Sequence, residues 1–342
     1  MNTQIADITD KVAALLDVSY IYAFSIAEQT GVLVLTTASE RPNKNLPSVS
    51  GIFKQYPGYR YRVYTESYAK TQLEQGNLFF LHACMPGHLQ YCGPDTHTPE
   101  LLSATQLHPL LSKARTCFEC DYDKAVSFSQ GAQFYLDTGH IPQTAFMLHQ
   151  AFELAYRAAE RLAMGREKVC HGIGKHQKYI FPFIPELGRV FSAKKELDVS
   201  LLHLLDMAYR EVRYRAYDVP PEHITVLQAK LEQVLAIVDN EFHTCYYSCK
   251  KEIEDITEQE GKESKPLPNM AERLKDLLDT SPLPHLESRL SRYKTDTRNC
   301  TEADLRHALN GMIGVYFEEV QGAMQFLDSL LALYGKMKGA LA

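Results

Sequence analysis

The hydrophobic periodicity of this 342-residue chain changes near Tyr122, and this change most constrains its fold. Before Tyr122 the apolar residues lie in short runs that are rich in β-branched and aromatic side chains, as is typical of strands. After Tyr122 they recur at steps of three and four, which places them on one stripe of a helix. The chain is therefore predicted to be α+β overall, with a small mixed α/β domain followed by an all-α antiparallel bundle.

The N-terminal domain is predicted over residues 1–118. It is expected to begin with a helix at 3–16 and to carry further helices near 47–55 and 67–75. The predicted strands are VSYIYAFSI, GVLVLTT, YRYRVYTES and NLFFLHACM, with LQYCG as a candidate fifth.

The helical bundle is predicted over residues 122–246. Its helices are expected near 123–137, 142–164, 199–217 and 221–246. In the second of these, Pro142 is favourable in the first turn, and Gly165 is favourable just after the last turn. The apolar stripe of that helix consists of Ala145, Leu148, Phe152, Ala155, Ala159 and Leu162.

The C-terminal part of the chain is predicted to be a separate helical region at 265–342. The polar, proline-containing segment EQEGKESKPLP at 258–268 indicates a linker. Beyond it, a long amphipathic helix expected at 301–337 is a candidate partner surface.

Composition limits the classes of function. A formal net charge of -6 argues against a protein built throughout to bind polyanions, so any nucleic-acid surface has to be local. No apolar run is long enough to cross a membrane and the first residues do not resemble a signal peptide, so a cytoplasmic protein is expected. The eight scattered cysteines are expected to be reduced thiols.

Three landmarks in the middle of the chain occur in a recognisable order. They are FMLHQAFELAYRAAERL at 146–162, His171, and LLDMAYREVRYRAYDV at 204–219. Together they resemble the HEPN superfamily over about 125 residues. The resemblance implies a HEPN-like antiparallel bundle that forms a homodimer and acts on or binds a nucleotide or RNA.

The N-terminal region is similar, more weakly, to the nucleotidyltransferase-like domains that are often fused to HEPN domains. The similarity lies in the paired strands and in LEQGNLFFLHACMPGHLQYCG at 73–93. The stretch AFSIAEQTGVLVLTTASE lacks the Gly-Ser turn and the paired carboxylates of catalytic members. Without those carboxylates there are no ligands for the divalent ions of phosphoryl transfer, so the domain is predicted to be a degenerate one.

The resemblance to HEPN ribonucleases makes Arg166 and His171 a candidate catalytic pair. In such enzymes an arginine stabilises phosphate charge, and a histidine separated from it by four to six residues acts in acid-base catalysis. Here the pair follows the second helix, whereas in nuclease members it stands at the start of the last core helix. A structural or surface role for both residues is the alternative.

A binding surface is predicted from local charge. Residues 154–195 contain nine Lys and Arg, Lys175 among them, against three Glu. Arg210, Arg213, Tyr214 and Tyr217 share one helical face, and basic groups beside rings can hold a nucleotide or a single strand. The alternative is that Tyr214 packs in the bundle while the arginines form ion pairs with solvent-exposed acids.

No metal site and no cofactor are expected from the sequence. Cys117 and Cys120 form a lone CxxC, and Cys245 and Cys249 lie one helical turn apart. A structural zinc ion needs four ligands, and no second motif at a recognisable distance completes either pair. His149 beside the apolar stripe is expected to be a core or interface histidine.

Three functions remain open from the sequence alone. The first is a non-catalytic nucleotide- or RNA-binding regulatory dimer. The second is a metal-independent endoribonuclease of the toxin or defence type that uses Arg166 and His171. The third is an oligomerisation scaffold that uses the predicted helix at 301–337.

Overall fold

The fold is taken from a computed structural model that describes residues 3–26, 29–37, 46–94, 96, 104–212 and 219–263. The chain divides into two compact units, Met1–Ile253 and Glu254–Ala342. All of the elements below belong to the first unit, apart from the last residues of the final helix. The predicted C-terminal region at 265–342 lies outside the described residues.

The N-terminal elements form a four-stranded mixed sheet. Its strands are β1 (Val18–Ile26), β2 (Gln29–Thr36), β3 (Tyr59–Thr65) and β4 (Leu89–Cys92). The strand order is β3-β2-β1-β4, with β1 antiparallel to β2 and β4, and β2 parallel to β3. Among the described strands, β3 is therefore an edge strand, with a strand neighbour on one side only.

Helices cover both faces of the sheet because the strand side chains alternate between them. Helices α1 (Thr3–Ala13) and α2 (Leu46–Phe53) pack on the face that carries Ile21 and Val34. Helices α3 (Glu66–Glu74) and α4 (Leu78–Ala83) pack on the opposite face, which carries Tyr22 and Leu33.

The prediction of a strand at NLFFLHACM is wrong, because this segment contains helix α4. Every residue of α4 is buried, so its sequence shows a continuous apolar run without a helical period. Such runs cannot be assigned by periodicity alone. The helix begins at Asn77, whose side chain accepts a hydrogen bond from the backbone N–H of Phe79 at 3.2 Å.

The helical part is built from α5 (Ala104–Asp137), α6 (Ile141–Met164), α7 (Ile173–Ile180), α8 (Glu196–Glu211) and α9 (Pro221–Glu263). Helix α6 lies at the centre, and its Phe152 and Ala155 share one buried core with Leu205 of α8 and Val234 of α9. The predicted order of a small mixed domain followed by helices is confirmed. None of the described helices has the length and apolar character needed to cross a membrane.

Two helices extend beyond their predicted ends. Helix α5 begins at Ala104 rather than near 123, and it runs through the point where the first predicted domain ends. Pro109 lies in its second turn, just beyond the first turn in which a proline removes no helical hydrogen bond, and the flanking Leu107 and Leu111 are buried. Helix α9 continues to Glu263, into the predicted linker, because the Glu and Lys residues there favour helix.

Candidate functional site

A groove lies between the edge strand β3 and the segment that contains α7. Its volume is about 770 Å³. Four cationic side chains line it, and the described residues of its wall include no Asp or Glu; the cations are Lys54, Arg60, Arg62 and Arg166. The rings in the wall include Tyr61, Tyr64, Tyr179 and Phe183. A groove of this composition attracts anions and offers surfaces on which flat groups can stack.

Arg62 is held in the wall by aromatic rings rather than by a carboxylate. Its guanidinium carbon lies 4.4 Å from the ring centroid of Phe183 and 5.2 Å from that of Tyr179. One terminal nitrogen contacts the sulfur of Met164. Its Nε is buried and has no hydrogen-bond partner among the described residues. The charge of Arg62 is therefore not neutralised by any described acid, and cation–π contacts hold it in place.

Arg60 is fixed by backbone carbonyl groups. Its Nε donates a hydrogen bond to the carbonyl oxygen of Pro182 at 2.8 Å, and a terminal nitrogen donates to that of Pro57 at 2.9 Å. Carbonyl groups orient the guanidinium without cancelling its charge. The contact with Pro182 also joins β3 to the segment after α7.

Arg166 reaches the groove because the end of α6 is tied to the N-terminal sheet. The hydroxyl of Tyr64 donates a hydrogen bond to the carbonyl oxygen of Met164 at 2.5 Å, and burial raises the pKa of Tyr64, so the phenol keeps its proton. The side chain of Asn77 donates to the carbonyl oxygen of Gly165 at 3.0 Å. The next residue, Arg166, is exposed and lines the groove.

Gly165 allows the end of α6 to lie close to α4. It ends α6 with a φ of 74°, a left-handed conformation that favours glycine. A Cβ at this position would lie 2.6 Å from ring atoms of both Phe79 and Phe80. Gly165 ends the helix as predicted, and it also lets α6 end directly against α4.

Two other cations of the basic segment are paired with acids. Arg157 and Arg161 both pair with Glu167, the second at 2.6 Å, and Arg161 also pairs with Asp121. Although burial opposes it, hydrogen bonding from the two guanidinium groups lowers the pKa of Glu167. These ion pairs offset part of the local excess of positive charge, and Arg166 is not among the cations that the described ion pairs engage.

A second ion pair in this region is fully buried. Nδ1 of His176 lies 2.8 Å from Oε1 of Glu160, and its Nε2 lies 2.9 Å from the carbonyl oxygen of Cys170. Both ring nitrogens face acceptors, so both carry protons in the imidazolium form. Burial lowers the pKa of His176, but hydrogen bonding and charge attraction, chiefly from the carboxylate of Glu160, together have the larger effect, so the pKa is raised overall. This pair holds α7, which carries Tyr179, against α6.

The predicted catalytic residues Arg166 and His171 contact different neighbours. Arg166 lines the groove, whereas His171 is not part of its wall. Nδ1 of His171 lies 3.2 Å from both carboxylate oxygens of Glu153, and its ring stacks on Tyr209 at 4.5 Å. The side chain of His171 is 60% exposed.

His149 is a buried core residue with both nitrogens paired. Its Nε2 donates a hydrogen bond to the carbonyl oxygen of His171 at 2.8 Å, and its Nδ1 accepts one from Gln150 at 3.0 Å. Burial lowers the pKa of His149. The neutral ring supports the segment that carries His171.

The predicted binding face on α8 is described only in part. Arg210 is exposed, and its Nε donates a hydrogen bond to the carbonyl oxygen of Asp206 at 3.3 Å. Lys175 of α7 is also exposed. Neither residue lines the groove. Arg213, Tyr214 and Tyr217 lie outside the described residues.

Sequence reasoning missed the contribution of β3 to the groove. The segment YRYRVYT alternates basic and aromatic residues, and the two-residue period of a strand places Arg60, Arg62 and Tyr64 on one side. That alternation on a terminal strand was the available signal. Sequence reasoning also missed a cluster of His82, His88, Cys245, Cys249 and Glu252, in which the cysteines meet histidines from α4 and the turn after it.

No protein-family model matches the chain, and no curated protein matches it.

Proposed function

We propose that the protein binds a nucleotide or a short single strand of RNA in the groove between β3 and α7, and that it acts as a non-catalytic binding or regulatory protein. The observation that carries this proposal is the environment of the Arg62 side chain. Arg62 is a cation in the wall of an open groove, stacked on Phe183 and Tyr179, with no described carboxylate as a partner.

The charges of the groove suit phosphate groups. Guanidinium groups bind phosphate oxygens through two parallel hydrogen bonds. Three of the four cations that line the groove carry this group: Arg60, Arg62 and Arg166. Arg60 is already oriented by carbonyl groups, so little side-chain freedom is lost when a ligand binds. Because the attraction between these cations and phosphate groups is electrostatic, binding should weaken as salt concentration rises. The attraction is local, since the whole protein has a net charge of -6.

The rings of the groove suit bases. Tyr179 already has two cations near its ring, Arg62 at 5.2 Å and Nζ of Lys168 at 5.1 Å. Stacking of a base on an aromatic ring contributes about 1–3 kcal/mol and tolerates any base. Phosphate recognition and stacking in one groove favour a nucleotide or single strand over a simple inorganic anion.

The resemblance to HEPN domains makes a homodimer part of the proposal. Large apolar side chains are exposed on the bundle, including Phe134 near the end of α5 and Leu197 and Val199 in the first turns of α8. Burial of these side chains against a second copy would stabilise a dimer. Light scattering of the full chain tests this part, and a monomer at all concentrations would remove it.

The proposal is tested by fluorescence anisotropy with a labelled single-stranded RNA and, separately, a labelled adenine nucleotide. Arg62→Gln and Arg166→Gln should each weaken binding of the preferred probe about ten-fold or more, because a hydrogen bond to a charged group contributes roughly 1.5–3 kcal/mol. Arg210→Gln is the matched control, since it removes an exposed arginine outside the groove.

Two results would overturn the proposal. One is no binding of either probe at low salt, which would leave an interaction scaffold as the function. The other is an equal loss of affinity in all three variants, which would indicate a general effect of net charge.

A metal-independent endoribonuclease is the second candidate, and one observation favours it. His171 is exposed, and the buried carboxylate of Glu153 orients its ring, which is how an acid-base histidine is commonly held. This candidate predicts that the purified protein cleaves RNA in the presence of a chelator and that His171→Ala abolishes cleavage. Undiminished cleavage by the variant, or none by the wild type, counts against it.

A further inference from the structure

A cluster of metal-ligating side chains lies where α4 and the turn after it meet α9. Cys245, Cys249 and Glu252 lie on one face of α9, because their positions are separated by four and three residues. His82 comes from the last turn of α4, and His88 ends the short 3₁₀ turn Pro86–His88. This cluster is separate from the groove, and none of its members lines that groove.

The ligating atoms are close enough to share one ion. Those of His82, Cys245 and Cys249 all lie within 4.8 Å of one another, as do those of His82, His88 and Glu252. Nε2 of His82 is 3.5 Å from Oε1 of Glu252. In a tetrahedral zinc site, bonds of about 2.0–2.3 Å place neighbouring ligand atoms roughly 3.3–3.8 Å apart. The ligand atoms of each group are therefore at most about 1.5 Å farther apart than a tetrahedral site requires.

The histidines are oriented as metal ligands commonly are. Nδ1 of His88 lies 2.9 Å from the carbonyl oxygen of His82, and a carbonyl can only accept, so Nδ1 carries the proton. The lone pair of Nε2 in the neutral ring then faces Glu252 at 3.3 Å. Histidine ligands usually donate their second N–H to a carbonyl or carboxylate in this way.

The cysteines are placed to bind as thiolates. Cys249 is buried and Cys245 is partly buried, and neither is in a disulfide. A bound cation would favour the deprotonated form of both thiols, because a thiolate is the form in which cysteine binds a metal ion.

We propose that Cys245, Cys249 and His82 bind a zinc ion, and that the adjoining Glu252–His88 pair supplies its fourth ligand. Two thiolates and an imidazole select a soft or borderline metal such as zinc over magnesium or calcium, which prefer oxygen ligands. The ion would link α9 to α4, two helices that are far apart in the sequence. It therefore stabilises the packing of the bundle on the N-terminal sheet.

The test is the metal content and cobalt spectrum of the full, untagged chain. Wild-type protein purified without chelator should contain about one zinc ion per chain, as one four-coordinate site requires. Replacement of the zinc by Co²⁺ should give thiolate-to-cobalt charge-transfer absorption. Cys249→Ser and His82→Gln should lower the affinity for the metal by more than the roughly 10- to 100-fold that follows loss of an orienting group.

The matched control is Cys117→Ser combined with Cys120→Ser, which removes the chain's CxxC pair but leaves the cluster intact. This variant should keep the zinc and the cobalt spectrum. If a cluster variant does not fold, chelator-treated wild type titrated with Co²⁺ supplies the same readout. The proposal is overturned by wild type that binds neither metal, by cluster variants that bind as the wild type does, or by a disulfide between Cys245 and Cys249 in freshly purified protein.

Discussion

The guanidinium carbon of Arg62 lies 4.4 Å from the centroid of the Phe183 ring, so an edge strand of the sheet and the segment after α7 hold one cation between them. The nearby hydrogen bond from Arg60 to the carbonyl oxygen of Pro182 joins the same two segments. The groove is therefore made by the packing of the sheet against the bundle. Changes that loosen this packing should affect both stability and binding.

The first prediction concerns Gly165. Gly165→Ala should destabilise the protein by at least about 1–2 kcal/mol, because the left-handed backbone disfavours a Cβ. The Cβ would also lie 2.6 Å from rings of Phe79 and Phe80, which must move. The free energy of unfolding, measured by chemical denaturation, checks this.

Gly174→Ala is the control for that measurement. Gly174 lies in α7, and a Cβ there would make only ordinary contact with Leu202 at 3.5 Å. Alanine favours a helix over glycine by about 0.5–1 kcal/mol, so this variant should be at least as stable as the wild type. Equal losses in both variants would contradict the role assigned to Gly165.

The second prediction concerns the buried pair of His176 and Glu160, whose side chains are both 0% exposed. His176→Ala should cost about 3–5 kcal/mol of stability, because removal of one partner leaves the other charge buried without compensation. Arg115→Ala is the control, since it breaks an exposed ion pair with Glu119, and exposed pairs contribute little to stability. Losses of similar size in the two variants would contradict this account.

The third prediction is the pH dependence that the same pair produces. The folded state raises the pKa of His176 above its ordinary value of 6.5, so the stabilisation is complete below 6.5 and is lost as pH rises through the raised pKa. The difference in unfolding free energy between wild type and His176→Gln should therefore shrink as pH increases from 6 upward. A difference that grows with pH would show that the sign is wrong.

The strands were predictable because each has one or two faces that must be buried. VSYIYAFSI matches β1, Val18–Ile26, and its neighbours β2 and β3 begin and end within two residues of the predicted runs. Helix α4 was not predictable from periodicity, because burial on all sides removes the polar face that reveals a helix. Tertiary packing alone decides between strand and helix in such a run.

The candidate sites were less predictable than the fold. Local charge pointed to the segment that holds Arg166, but not to Arg60 and Arg62, which reach the same groove from a strand about a hundred residues earlier. Similarly, Cys245 and Cys249 were recognised as a pair on one helix. Their partner His82 could not be identified, because its own segment was predicted to be a strand and the contact is long-range.

The position at which a nucleotide or RNA binds decides whether the groove is the functional site. Photo-crosslinking with a 5-bromouridine-substituted single strand, or with an azido-adenine nucleotide if that is the preferred ligand, followed by peptide mass spectrometry, locates the site directly. We predict crosslinks at the aromatic residues of the groove, on peptides that carry Tyr61, Tyr64 or Tyr179, and their loss in Arg62→Gln. Crosslinks confined to α8 and the residues after it, with none on β3 or α7, would contradict the assignment of the groove.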